Sequence, residues 1–382
     1  MIGTSLLFSG SIAGLLGPGD IATPTAGYSL RPLSVSYSGA VVRVRRSGDD
    51  AEKDFNASGI TDGQLSGFLN VFTESGHILN VYEHFKREFT ESPLTFYNFE
   101  DVSLVCNCIE ESSGLIAYDA LANMVSHQVA VYTDIDYPTI DDPSLISPCN
   151  DGQADELNAF DDLLNLTTQN DGYVVTWYDQ FGSNDATQTT AAEQPKIWDA
   201  STGLVTENGK PALDFDGVDD VLIKSGGVVG SSELSVFVKI TIDDYRITGP
   251  AFHTIVSQGT HDTQDFGCYI ADGSVESYSE VFISDSEITR FEYDSGVKDL
   301  GETILSFIGK NLFQQISKDG AVLATNNESG FNSGGTQDLF IGNDNNSRSF
   351  VGNMQEMIIY NSDQSANRTK IEDNINDYYN IY

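Results

Sequence analysis

From Tyr173 to Asn361 the chain is a succession of short apolar runs, most of them stopped by glycine, asparagine or aspartate. They read YVVTWYDQ, ALDFDG, LSVFVKITI, HTIVSQ, FGCYIA, SEVFIS, TRFEYD, ETILSFIG, LFQQISKDG, DLFIGN and NMQEMIIYN. Runs of this length are strands, and the Gly and Asx residues between them supply tight turns. Short strands at fairly even intervals predict an antiparallel sandwich or jelly roll, so the chain is mainly β. Upstream, VSYSGAVVRVRR sets Val42 and Val44 against Arg43 and Arg45, the period-two pattern of a strand with one wet face.

Two regions break this pattern. Residues 71–170 carry ILNVYEHFKREF, LIAYDALANMVSHQVAVY and ADELNAFDDLLNLTTQ, with helical apolar spacing, around the Pro- and Asp-rich DIDYPTIDDPSLISP. We expect an inserted α/β subdomain there, within a β domain made of residues 28–70 and 171–382. At the C-terminus, Ile371 and Ile375 fall four apart behind Ser365, which predicts a short helix with Ser365 as its N-cap. Residues 1–27 are expected to be an ordered N-terminal segment, either an edge strand or a subunit contact; they lack the basic start of a signal peptide.

A net charge of −38 over 382 residues excludes sequence-independent binding to nucleic acid, because an acidic surface repels phosphate. No run of about 18 apolar residues exists to span a membrane. The cysteines, Cys106, Cys108, Cys149 and Cys268, make no disulfide framework and have no histidine at zinc-ligand spacing, so they are expected to be free thiols. His77, His84, His127, His253 and His261 accompany no G-x-S-x-G elbow, and no phosphate-binding glycine loop is present.

The phrases GYSLRPLSVSYSGAVVRVRRSGDD, GYVVTWYDQFGSNDATQ and NGKPALDFDGVDD, over about residues 26–60 and 171–222, resemble the catalytic-domain family of fungal α-L-arabinofuranosidase B. DLFIGNDNNSRSFVGNMQEMIIYN resembles the closing strands of laminin G-like and pentraxin-like jelly rolls. The resemblance implies a concanavalin-like two-sheet jelly roll. Proteins that join these two halves resemble bacteriophage virion components, which implies other virion proteins as partners in an oligomeric assembly, put together in a host cytoplasm. Host surface glycans are the further partner implied.

A glycosidase needs two carboxylates facing each other across the scissile bond. Asp179, beside Trp177 and Tyr178, and Glu356, in a strand of apolar residues, are the choices. Each has a structural alternative: Asp179 as a turn acceptor, Glu356 turned to solvent opposite Met357. The enzyme family carries its catalytic groups in a stretch with a vicinal disulfide and a D-L-E-N-like strand. Neither is found here, and the matching phrases stop near Asp220. No catalytic residue is carried over, and a non-enzymatic virion protein is the expectation, with a glycoside hydrolase as the alternative.

For binding, Tyr173, Trp177 and Trp198, with Asp179, are the candidate sugar contacts. Asp216, Asp219 and Asp220 in FDGVDD, with Asn343 and Asp344 in GNDNNSRS, are the candidate calcium ligands. Arg43, Arg45 and Arg46 are expected to act structurally, their guanidinium forks pairing with Asp49, Asp50 or Asp54.

Overall fold

A computed structural model describes residues 17–71, 168–230, 232–242, 252–260, 265–272, 279–285, 290–294, 301–327, 335–344 and 348–382. The chain divides into two compact units, Met1–Leu65 with Asp171–Tyr382, and Ser66–Asn170. The second unit is described only at its two ends, so the helical segments read there, with Cys106, Cys108 and Cys149, lie outside the described residues, as do Asn345 and Asn346.

In chain order the helices are α1 (Pro18–Ile21), α2 (Ala57–Thr61), α3 (Gln64–Leu69) and α4 (Arg368–Tyr379). The strands begin with β1 (Ala26–Ser29), β2 (Val42–Arg46), β3 (Glu52–Phe55), β4 (Asn70–Val71), β5 (Thr168–Gln169), β6 (Gly172–Trp177), β7 (Ala186–Thr187) and β8 (Lys196–Asp199). Next come β9 (Gly203–Leu204), β10 (Thr206–Glu207), β11 (Lys210–Pro211), β12 (Leu213–Asp216), β13 (Leu222–Lys224), β14 (Leu234–Ile242), β15 (Phe252–Gln258) and β16 (Phe266–Asp272). The remainder are β17 (Ser279–Asp285), β18 (Arg290–Asp294), β19 (Glu302–Lys310), β20 (Phe313–Lys318), β21 (Ala321–Asn326), β22 (Leu339–Ile341) and β23 (Val351–Tyr360).

All the strand pairs among the described residues are antiparallel. In the first sheet β1 and β12 lie end to end along one side of β23, followed by β14, β19, β20 and β21. The second runs β3, β2, β6, β7, β13, β22, β15, β16, β17 and β18. Strand β8 pairs with both β6 and β12 and so joins the two. This is the jelly-roll sandwich the strand census predicts. The Asp319-Gly320 turn shows why the hairpins close so tightly: both residues take positive φ, +48° and +80°, as a two-residue antiparallel connection requires.

Strand β14 is buried along its whole length. One face, with Val236, Val238 and Ile240, packs with Met354, Met357, Ile359, Leu305 and Phe307 as the sandwich core, all fully buried. The other face carries Phe237, which meets Ile358, Tyr360 and Ile304 beneath Ile371, Ile375 and Tyr379 of α4. The helix is where the isoleucine spacing puts it, but it begins at Arg368 after Asn367. Ser365 is therefore not its N-cap; its amide donates instead to Asp363 Oδ1 at 2.9 Å.

Candidate functional site

The Arg-rich strand β2 lies between β3 and β6, with Arg43 opposite Asp54 and Arg45 opposite Tyr173. Arg43 Nε and Nη2 donate to the two oxygens of Asp54 at 2.6 and 3.0 Å, and Tyr178 donates to the same carboxylate at 2.8 Å. Arg46 grips Asp49 with two bonds of 2.8 and 2.6 Å. Arg45 reaches Asp50 at 2.8 Å, Gln194 at 2.7 Å and the Ala191 carbonyl at 3.2 Å. The Arg43 fork holds the Asp54 carboxyl below the usual carboxylate range, and Arg46 does the same for Asp49. Every fork in this ladder is thus satisfied within the protein.

The candidate sugar contacts are divided by the fold. Trp177 is fully buried at the end of β6, tilted against Tyr28 with ring centroids 5.7 Å apart, and has no face to offer a sugar. Asp179 is buried too: its Oδ1 accepts from the amides of Gly27 and Phe181, both at 3.0 Å, and its Oδ2 from that of Asn184 at 3.1 Å. Three backbone donors make it a turn organiser that ties β1 to the loop after β6. Tyr173 is half-buried, with the guanidinium of Arg45 5.1 Å and the ammonium of Lys196 5.7 Å from its ring centre, contributed by the strands flanking β6. Its ring is already engaged by cations. Trp198 remains part-exposed on β8, on the same side as Lys196, its ring lying over Gly203.

The two acidic loops come together at one end of the sandwich, because β13 pairs with β22 and carries the preceding turn to the loop that follows. Ser349 Oγ donates to the Val218 carbonyl at 2.7 Å and receives a bond from Asn343 Nδ2 at 3.1 Å. Within the turn, Asp220 Oδ2 accepts from the Asp216 amide at 2.8 Å, and Asp216 Oδ1 from that of Val218 at 2.7 Å. Carboxylate oxygens of Asp216, Asp219 and Asp220 lie within 4.8 Å of one another. Burial pushes the Asp220 carboxyl up to about 7, with the negative charges of Asp216, Asp219 and Asp214 adding to the effect. Asp344, wholly buried, is 3.6 Å from the Arg348 guanidinium. A calcium ion needs about six to eight oxygens. The turn offers three carboxylates on one side, whereas Asp344 already faces a cation.

A third group of charges surrounds Glu356, the second candidate carboxylate, with partners that the sequence does not bring to it. Glu356 does lie opposite Met357, but α4 and the segment after β1 cover it, so it does not reach solvent. Arg31 binds it bidentately at 2.6 and 2.9 Å, and Ser29 and Tyr379 each donate to it at 3.2 Å. Arg31 also donates to Asn374 of α4 at 3.1 Å and sits 4.5 Å from the Tyr378 ring centre. Lys239, directly across from Glu356, is equally buried and pairs with Glu302 at 2.9 Å.

No family model matches the sequence, and no curated protein matches it. Solved structures do. A mutant GH54 α-L-arabinofuranosidase soaked with 4-nitrophenyl α-L-arabinofuranoside superposes with a TM-score of 0.53 at 14% identity, over 94% of this chain. A second arabinofuranosidase, complexed with arabinofuranosyl-α-1,2-xylobiose, gives 0.50 at 13% identity over the same share. A heptameric SAP-like pentraxin from Limulus polyphemus gives 0.35 at 11% identity over 44% of the chain. The chain spans 65% of the first arabinofuranosidase. The likenesses to the two arabinofuranosidases show the fold. They also carry it past Asp220, where the matching phrases end, into the half that sequence alone set apart.

Proposed function

We propose that the chain is a non-catalytic, glycan-facing jelly-roll protein of a bacteriophage virion, working beside other virion proteins as an exposed component. The observation that carries the non-catalytic reading is the commitment of Asp179 and Glu356. Each carboxylate that the sequence offers for glycosidic chemistry is saturated by donors of the framework, three amides in one case and an Arg31 fork in the other. A nucleophile or general acid needs a face open to substrate. The fold shared with arabinofuranosidases supports carbohydrate as the ligand class, and the virion setting rests on the sequence resemblance. Calcium is the ion this reading assigns to the Asp216–Asp220 turn, beside the exposed Val218 tip. A glycan array run with and without calcium tests the binding reading; no bound glycan in either condition would sink it.

One observation favours a glycoside hydrolase as the second reading. Asp220, raised to about 7, sits in the turn that is tied through Ser349 to the loop bearing Asp344. A protonated carboxylic acid near a second carboxyl group is the equipment of a general acid. Incubation with 4-nitrophenyl α-L-arabinofuranoside decides it. Release of nitrophenol that disappears in Asp220→Asn would establish the enzyme, and no release above buffer would leave the binding module.

A further inference from the structure

The outer face of the first sheet has a polar end beyond the apolar patch under α4. There Thr241 of β14 stands directly opposite Asn353 of β23 on one side and Glu302 of β19 on the other. Lys239, two residues back on the same face, holds Glu302 Oε1 at 2.9 Å. The β10–β11 hairpin is tied to this row. Gln355 Nε2 donates to the carbonyls of Glu207, Lys210 and Pro211, each at 3.1 Å, and Asn353 Nδ2 donates to Glu207 Oε2 at 3.3 Å.

Three oxygens in this corner are closed to solvent and take part in no hydrogen bond: Thr241 Oγ1, Asn353 Oδ1 and Gln355 Oε1. Their residues are 8%, 9% and 0% exposed, so bulk water does not serve them. Both amide nitrogens are already engaged, which fixes which end of each amide is left over. A buried oxygen without a partner destabilises a fold, and three on neighbouring positions call for an occupant.

The unmet atoms are hydroxyl and amide oxygens, with the Glu207 and Glu302 carboxylates beside them. Hard cations take this ligand set. A chain of net charge −38 also draws cations in. The geometry points to a cation site formed by Thr241, Asn353 and Gln355 with Glu207 and Glu302, separate from the acidic turn at Asp216–Asp220 and independent of the glycan reading.

The test is thermal unfolding of the full chain, stripped with EDTA and dialysed into choline chloride, with CaCl2 or NaCl added at constant ionic strength. The expected result is a rise of several degrees in Tm in the wild type and in Asp219→Asn, and its abolition when Thr241→Val or Asn353→Leu is added to the Asp219→Asn protein. A response to calcium identifies a divalent site, a response to sodium alone a monovalent one. A wild-type Tm that neither ion moves overturns the proposal. So does a response kept in Thr241→Val and lost in Asp219→Asn, which assigns the ion to the acidic turn. Should neither corner variant fold, elemental analysis of the ion retained by the wild type and by Asp219→Asn replaces them, and an empty Asp219→Asn protein overturns the site.

Discussion

Replacing Glu356 tests how the C-terminal helix is held. The carboxylate accepts four hydrogen bonds, two from Arg31, one from Ser29 and one from Tyr379, in a place with no exposed surface. Glu356→Ala leaves the Arg31 guanidinium, itself 8% exposed, without its counter-charge. Removal of one partner from a buried ion pair costs about 3–5 kcal/mol, whereas replacing both with apolar groups of similar volume is often close to neutral. Glu356→Ala should therefore destabilise by about 4 kcal/mol, and the Arg31→Met/Glu356→Met double variant by far less than the two single variants added together. With a urea slope of about 3 kcal/mol per molar, the single variant unfolds at a midpoint lowered by roughly 1.3 M. Urea unfolding followed by the fluorescence of the buried Trp177 reads this directly. The loss should also be nearly independent of salt, since a closed pair is poorly screened. A loss of less than about 1 kcal/mol in Glu356→Ala, or a double variant as damaged as the sum of the single ones, would show that the buried pair does not hold the helix.

The exposed arginine pair offers a contrast. Arg43 and Asp54 are each about two-fifths exposed, so Arg43→Ala should cost no more than about 1 kcal/mol in the same unfolding assay despite the short bonds. Asp220 gives a pH dependence. Its folded value of about 7 stands above the 3.8 of the unfolded chain, so the stability it contributes is complete below 3.8 and is lost as pH rises through 7. Asp220→Asn keeps an oxygen for the Asp216 amide and should remove that loss; thermal unfolding between pH 4 and 8 shows whether the wild-type and variant curves converge at low pH. Gly342, at φ +87°, would place a Cβ 2.3 Å from the Phe215 ring. Gly342→Ala should destabilise by about 2–5 kcal/mol through backbone strain and overpacking, measured by the shift in urea midpoint.

Alternation and turn chemistry carried the fold as far as the strands and their antiparallel order, because both depend on neighbours a few residues away. The arginine ladder was legible for the same reason: Arg46 and Asp49 share a turn, and Arg43 and Asp54 sit opposite each other across a short hairpin. Composition marks FDGVDD and GNDNN as oxygen-rich turns, but their proximity comes from the long-range β13–β22 pairing, which neither phrase encodes by itself. What alternation could not show is a second layer. A strand whose outward face is covered by a helix reads in sequence like one with a wet face wherever its outward residues are polar, so a solvent-facing Glu356 fits the alternation as well as a buried one. The same blindness applies to aromatic residues: Trp177 follows a strand pattern that fits a platform as well as a core, and only the approach of Tyr28 from β1 decides between them. The informative signal lay in the helix itself. A four-residue isoleucine spacing needs an apolar surface to dock on, and the helix docks on the outward face of β14 and β23. Once the helix is placed there, any charge on that face must be paired or must recruit an ion. Arg31 meets the first requirement for Glu356, and the corner at Thr241, Asn353 and Gln355 is where the second still applies.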